Sequence, residues 1–107
     1  MAKISTHVLD VSAGLPAAGL LVRLFHEGRL DREARTNSDG RCDQALLENP
    51  TPGGYQLVFA VGDYFRGRGV ESPFLDEVPV HFKVSEGQSY HVPLLVSPWS
   101  YSTYRGS

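Results

Sequence analysis

Two histidines in strand-like segments carry the side chains best suited to chemistry. His7 lies within residues 4–9 and His91 within residues 90–96, and both segments alternate with a period of two. Each histidine belongs to the phase opposite the core set, beside leucine or proline, so its face is only half polar. Such a face is typical of a subunit interface or a pocket, and imidazole accepts protons near neutral pH. The spacing alone leaves a structural and a catalytic histidine both open.

The C-terminal segment is the second place where chemistry is concentrated. Residues 97–107 turn at Ser97-Pro98 and then carry Trp99, two tyrosines and Arg105. Chain ends usually fray, but solvating these rings would leave a large apolar area in water. We therefore expect the segment to pack against something and to present its ionic groups at a surface where they are used.

Length and composition bound the architecture. The chain has 107 residues, 41% hydrophobic and 21% charged, with a net charge of −2. These values predict one globular domain over residues 1–107 and argue against nucleic acid or a membrane as the main partner. The single cysteine forms no disulfide within the chain, and no segment has the apolar run of a signal peptide or membrane span. We expect a cytoplasmic protein.

Turn residues recur about every ten positions and separate short alternating segments. Residues 37–40 (Asn-Ser-Asp-Gly) predict a hairpin turn, and residues 62–69 predict one or two helical turns that Asp63 caps and glycine ends. Eight strands are predicted, which favours an all-β sandwich or a small barrel. They cover residues 4–9, 20–26, 30–36, 41–43, 55–61, 78–84 and 90–96 and a short last strand in the tail.

Other reactive side chains have simpler interpretations. His26 follows a strand at a turn and His81 lies in an outward phase, so we expect both at the surface. Cys42 has no histidine at a spacing typical of a nucleophile, which favours a structural thiol. His7 and His91 supply two metal ligands, fewer than the usual three of a catalytic zinc site. No metal site is predicted.

The order of several motifs resembles one family over nearly the whole chain. The motifs are Ser-Thr-His-Val-Leu-Asp (5–10), Gly-Leu-Pro-Ala-Ala (14–18), Thr-Asn-Ser-Asp-Gly-Arg-Cys (36–42), Gly-Asp-Tyr-Phe (62–65), Pro-Phe-Leu-Asp (73–76), Tyr-His-Val-Pro-Leu-Leu-Val-Ser-Pro (90–98) and the terminal Tyr-Arg-Gly-Ser (104–107). Together they resemble the 5-hydroxyisourate hydrolases, also called transthyretin-related proteins. The resemblance implies a transthyretin-like sandwich of two four-stranded sheets with one short helix, assembled as a homotetramer of 222 symmetry.

The resemblance also implies a site. The histidine, arginine and histidine that mark the family correspond to His7, Arg41 and His91, and its terminal tyrosine corresponds to Tyr104. In that fold the first, fourth, seventh and eighth predicted strands form one sheet, which faces a channel between dimers. All four residues then lie on one sheet, with both histidines on its non-core face.

The implied reaction is the hydrolysis of 5-hydroxyisourate to 2-oxo-4-hydroxy-4-carboxy-5-ureidoimidazoline in urate degradation, without metal or cofactor. A neutral imidazole suits the role of general base toward water; we favour His7, with His91 as a relay. Arg41 would stabilise the negative charge that forms on the attacked carbonyl.

The terminal residues complete the implied site. Tyr104 would bind the substrate or close the pocket, with Arg105 and Ser107 ordering the tail. We therefore count His7, Arg41, Tyr104, Arg105 and Ser107 as the implied substrate-binding set.

Two other functions stay open from the sequence. A transthyretin-type carrier would share the fold and bind a small molecule without hydrolysis, although transthyretin lacks the histidine pair and the Tyr-Arg-Gly-Ser ending. A β-sandwich adhesion or interaction module would be monomeric, with nothing reactive on its exposed sheet.

Overall fold

A computed structural model of the protein describes residues 2–106, which contain nine strands and one helix. Most bounds agree with the alternation in the sequence. The elements are β1 (Lys3–Asp10), β2 (Leu15–Pro16), β3 (Leu21–His26), β4 (Arg29–Arg35), β5 (Leu47–Glu48), β6 (Gly53–Phe59), α1 (Val61–Gly67), β7 (Val78–Val84), β8 (Tyr90–Val96) and β9 (Tyr101–Thr103).

The strands form two sheets, and the predicted transthyretin-like sandwich with one short helix is confirmed. One sheet, called the site sheet because it carries His7 and His91, has the order β2-β1-β8-β9, with β5 also paired to β1. The second sheet has the order β4-β3-β6-β7. The two-residue strands β2 and β5 bring the site sheet to five strands. β1 and β8 run parallel, while every other named pair is antiparallel.

The core lies between the inner faces of the two sheets. Ile4 and Val8 from β1 are fully buried, as are Leu24 from β3 and Leu57 from β6. Helix α1 adds the buried ring of Phe65 to this core. Because the period of a strand is two, the alternation that buries these side chains directs their neighbours outward.

The free edge of β1 is covered by three short pieces of chain. β5 pairs at Ile4, Arg41 forms a single bridge with His7, and β2 pairs at Leu9. The predicted strand over residues 41–43 was therefore wrong: it is reduced to the Arg41 bridge. The side-chain oxygen of Asn37 accepts hydrogen bonds from the amides of residues 39 and 41, at 2.9 and 3.2 Å, which curls the chain back.

The predicted turn at residues 37–40 exists but does not form a hairpin. The Gly40 amide donates to the Asn37 carbonyl at 2.9 Å, and Gly40 has a positive φ of 77°. However, the turn leads from β4 in the second sheet to Arg41 at the site sheet. A local turn signal does not determine whether its two arms pair with each other.

The helix begins one residue before its predicted start and has a different cap. Val61, predicted to end a strand, is its first residue, and Ala60 precedes it without a side-chain cap. Asp63 lies in the first turn, where it pairs with Arg66. Position 62 requires glycine because Asp76 packs closely against it: a Cβ there would lie 2.6 Å from the Asp76 carboxylate.

Asp10 joins the end of β1 to the helix. Its buried carboxylate accepts hydrogen bonds from the Ser12 amide (3.1 Å) and hydroxyl (2.6 Å), from the Ala13 amide (3.1 Å) and from the Tyr64 hydroxyl (2.8 Å). Burial, followed by the interaction with Asp10, raises the pKa of Tyr64 to about 12. This network fixes the end of the strand that carries His7.

No helix within residues 2–106 has the length and apolar character needed to cross a membrane.

Candidate active site

The outer face of the site sheet carries both candidate histidines. Alternation along β1 buries Thr6 and leaves Ser5 and His7 half-exposed. On β8 the half-exposed His91 lies in register with Ser5, and Pro93 lies in register with His7. The parallel pairing of β1 and β8 thus brings together two histidines that are 84 positions apart in the chain.

The His7 ring is held by a main-chain carbonyl. Its Nε2 lies 2.9 Å from the carbonyl oxygen of Asp39. A carbonyl only accepts hydrogen bonds, so Nε2 carries the proton and donates it. In the neutral ring, Nδ1 is therefore the atom with a lone pair for an incoming proton. The turn at residues 37–40 sets the tautomer of His7.

His91 is contacted from two directions. The Ser5 hydroxyl lies 2.9 Å from its Nδ1, and the Gly106 amide donates to its main-chain carbonyl at 2.7 Å. A Cβ added to Gly106 would lie 2.8 Å from Cδ2 of the imidazole, so glycine allows the terminal chain to pack against the ring.

The pKa of His91 is lowered from its ordinary value. Burial is the largest cause, followed by the positive charge of Arg41 and then by His7. Each cause disfavours the imidazolium form. His91 therefore stays neutral, and able to accept a proton, at lower pH than an unperturbed histidine.

Arg41 lies beside these histidines. Its main chain bridges to His7, and its exposed side chain lines a cavity of about 270 Å³ together with Ser5 and Lys3. Larger clefts lie elsewhere, including one of about 410 Å³ beside Val70. The cavity of about 270 Å³ is the one nearest the candidate residues: Arg41 and Ser5, the hydrogen-bond partner of His91, line it, while neither histidine does.

The terminal segment is held in place by the side chain of Arg105. Arg105 stacks over the Tyr90 ring at 4.2 Å and donates to the Gln88 side chain at 3.1 Å and to the Ser89 carbonyl at 2.9 Å. These contacts order the tail, as expected for Arg105. Its substrate binding stays a prediction.

Tyr104 is 61% exposed and lines a separate cavity of about 230 Å³ beside Val92 and Thr103. Substrate binding by Tyr104 also stays a prediction. Ser107 lies outside the described residues.

Comparison with known proteins decides the family. The model of the HIUase/Transthyretin family matches residues 4–106. The chain belongs to this family. The match spans both sheets, the helix and every candidate site residue except Ser107.

Individual family members agree with this assignment. The 5-hydroxyisourate hydrolase of Mesorhizobium japonicum is 53% identical over 117 residues, covering 98% of this chain and 92% of that protein. The structure of Klebsiella pneumoniae 5-hydroxyisourate hydrolase superposes with a TM-score of 0.90 at 38% identity and full coverage of both chains. Sea bream transthyretin in complex with thyroxine gives a TM-score of 0.89 at 25% identity, covering 98% of this chain and 95% of that one.

The remaining reactive side chains lie away from this site or have reduced reactivity. Burial, followed by Asp43, raises the pKa of Cys42, which agrees with a structural thiol. His81 is exposed, as predicted, and contacts Gln56. Within residues 2–106, no group of three or more His, Cys, Asp or Glu side chains is placed to hold a metal ion.

The prediction for His26 was wrong. The residue is half-buried because it lies in register with Tyr55 of β6, and its ring stacks on the Tyr55 ring at 4.1 Å. Its Nε2 is buried without a hydrogen-bond partner among the described residues.

Three contributors were not singled out from the sequence: the Ser5 hydroxyl, the Asp39 carbonyl and Gly106. Ser5 shares the face of His7 two positions away, which is a visible signal. Its partner His91 follows only from the parallel register. The other two act through the main chain or through the absence of a side chain, which residue type does not reveal.

Proposed function

We propose that this protein hydrolyses 5-hydroxyisourate to 2-oxo-4-hydroxy-4-carboxy-5-ureidoimidazoline in urate degradation. The observation that carries the proposal is the 53% identity to a 5-hydroxyisourate hydrolase across almost the whole of both chains. The grouping of His7, Arg41 and His91 on one face supports it. The carrier function is not favoured.

The proposed chemistry begins with water. Water attacks a ring carbonyl and loses a proton to a neutral imidazole, the ring C–N bond then breaks, and the nitrogen takes up a proton. His7 suits the role of base, because its Nε2 bond to Asp39 leaves Nδ1 to accept the proton. His91 suits the role of relay, because its lowered pKa keeps it neutral. A positioned base typically contributes about 10²–10⁴-fold to the rate.

Arg41 is proposed to stabilise the oxyanion. Its guanidinium is permanently charged and presents several donors in a fixed plane. Removing one such group typically costs about 10²–10³-fold in kcat. The residues described here accommodate this scheme without a cofactor.

We further propose that the protein is a homotetramer. Large apolar side chains are exposed on the single chain, and Trp99, at 64% exposure, stacks on Phe74, at 68%. β7 and β9 are edge strands of their sheets, where a second copy can pair. Association would cover the rings that the sequence predicts to be packed. Light scattering tests this directly, since a monomer mass contradicts the proposal.

We keep the cytoplasm as the proposed compartment. The chain has a single cysteine, which lies half-buried, as expected in a compartment where disulfides are rare.

The direct test is the ultraviolet decay of freshly generated 5-hydroxyisourate with purified protein. The substrate also decays spontaneously, so rates are compared with buffer and with His7→Asn and Arg41→Ala. His81→Asn and Arg32→Ala are matched controls, because both residues are exposed outside the site. Acceleration that the site variants lose and the controls retain supports the proposal. A folded wild-type protein without acceleration contradicts it.

A further inference from the structure

Ser5 is fixed opposite His91 by the sheet itself. The pairs Ile4–Tyr90 and Thr6–Val92 flank the Ser5–His91 pair in the parallel register. The Thr6 hydroxyl also donates to the Val92 carbonyl at 2.7 Å, and Thr6 is buried. Because the register is held on both sides, the Ser5 hydroxyl is held 2.9 Å from Nδ1 of His91 without a flexible segment between them.

The partners of the two histidines differ in chemistry. His7 donates to a carbonyl, which accepts only, so its tautomer is fixed. A hydroxyl both donates and accepts. The Ser5 hydroxyl can therefore accept from Nδ1–H when His91 is an imidazolium. It can also accept when the neutral ring carries its single N–H proton at Nδ1. It donates to Nδ1 in the other tautomer. His91 keeps this hydrogen bond in every protonation state.

The geometry around the ring then distinguishes its two nitrogens. Ser5 engages Nδ1, and Gly106 packs against Cδ2. Because Ser5 occupies Nδ1, Nε2 is the nitrogen that can exchange a proton with a reacting molecule. Ser5 also lines the same cavity as Arg41, so one residue contacts His91 and borders the space next to the guanidinium.

We propose that Ser5 is a positioning residue for the hydrolysis: its hydroxyl holds Nδ1 of His91 and thereby assigns proton exchange to Nε2. This inference rests on the proposed function. The proton lost by the attacking water reaches Nε2 directly or through His7, while the water oxygen bonds to the carbonyl carbon. Nε2 then returns the proton to the ring nitrogen released when the C–N bond breaks.

The test compares Ser5→Ala with Ser5→Thr, which retains a hydroxyl. Ser72→Ala is the matched control, because it removes a half-buried hydroxyl that bonds a carbonyl outside the site. Steady-state kinetics give kcat and KM, and imidazole ¹⁵N shifts, assigned with His91→Asn, report the tautomer and titration of His91. We expect Ser5→Ala to lower kcat by about threefold to tenfold, the equivalent of one hydrogen bond. KM should be little changed, and Ser5→Thr should recover most of kcat.

The His91 titration separates positioning from a merely structural effect. Among the described residues, His7 from β1 and Arg41, which follows the turn at residues 37–40, are the titratable or charged groups that act on this ring. If Ser5 accepts from the imidazolium, Ser5→Ala lowers the pKa of His91 further. If Ser5 only seals the sheet, its loss admits water and raises that pKa.

Unchanged kcat in Ser5→Ala, or lost activity with unaltered His91 shifts or a raised His91 pKa, overturns the proposal. A wild-type protein without hydrolase activity would contradict the proposed function instead. The ¹⁵N shifts would still show whether Ser5 determines which nitrogen of His91 carries the proton.

Discussion

Gly106→Ala tests whether the terminal chain must pack against His91. The new Cβ would lie 2.8 Å from Cδ2 of the imidazole, at least about 0.6 Å inside ordinary carbon–carbon contact. Either the ring rotates or the terminal segment moves away. The second response stretches the 2.7 Å bond from the Gly106 amide to the His91 carbonyl.

The magnitude follows from the displacement. A misplacement of about 1 Å near reacting groups can cost about 10²-fold in rate, so we expect kcat to fall by about tenfold to a hundredfold. Stability should change little, by less than about 1 kcal/mol, because a chain end relieves overpacking by moving. A large loss of kcat with an almost unchanged melting temperature is the expected pattern.

The assay is the decay of 5-hydroxyisourate at equal concentrations of wild type, Gly106→Ala and Gly67→Ala. Gly67 is the matched control, because its Cβ would have no neighbour within 4 Å and its position is helical. Wild-type kcat in Gly106→Ala would refute the idea that this packing positions His91.

Three further predictions concern the supports of the site. Asp10→Asn replaces a buried carboxylate acceptor and should lower the free energy of unfolding by about 2–4 kcal/mol, measured with urea. Gly40→Ala places a Cβ 2.4 Å from a β1 carbonyl at a positive φ, so it should lower both stability and kcat; Gly14→Ala has a similar φ but open space, and should spare kcat. Arg41→Ala removes a positive charge and should raise the pKa of His91, in an NMR titration, part-way to its ordinary value of about 6.5, because burial remains.

Each of these has a clear contrary result. Unchanged urea midpoints in Asp10→Asn would mean that the carboxylate network does not hold the end of β1. Equal kcat values in Gly40→Ala and Gly14→Ala would mean that the turn at residues 37–40 does not position His7. A His91 titration unmoved by Arg41→Ala would mean that the two side chains do not interact.

The strands were predictable because their signal is local. Alternation at Thr6 and His7 assigns inward and outward faces without knowledge of any partner strand. The same holds for His91 on β8. Both histidines could therefore be placed on an outer face from the sequence. The arginine was assigned only through the family resemblance, since nothing in the local pattern at Arg41 marks it as part of a site.

The errors arose where the outcome depends on distant chain. Residues 41–43 have strand character, but the turn anchored by Asn37 leaves only Arg41 against β1. His26 was expected in solvent, yet Tyr55 from another strand covers it. Local propensity carries no information on which segment occupies a sheet edge or covers a ring.

The sequence by itself therefore determined the strand faces, the single core and, through its motifs, the family. Only the tertiary structure decided the register that places Ser5 on His91, the carbonyl that fixes the His7 tautomer, and the packing of Gly106. The reason is physical. Periodicity is encoded in neighbouring residues, whereas a hydrogen bond or close contact between residues dozens of positions apart exists only once the sheets have assembled.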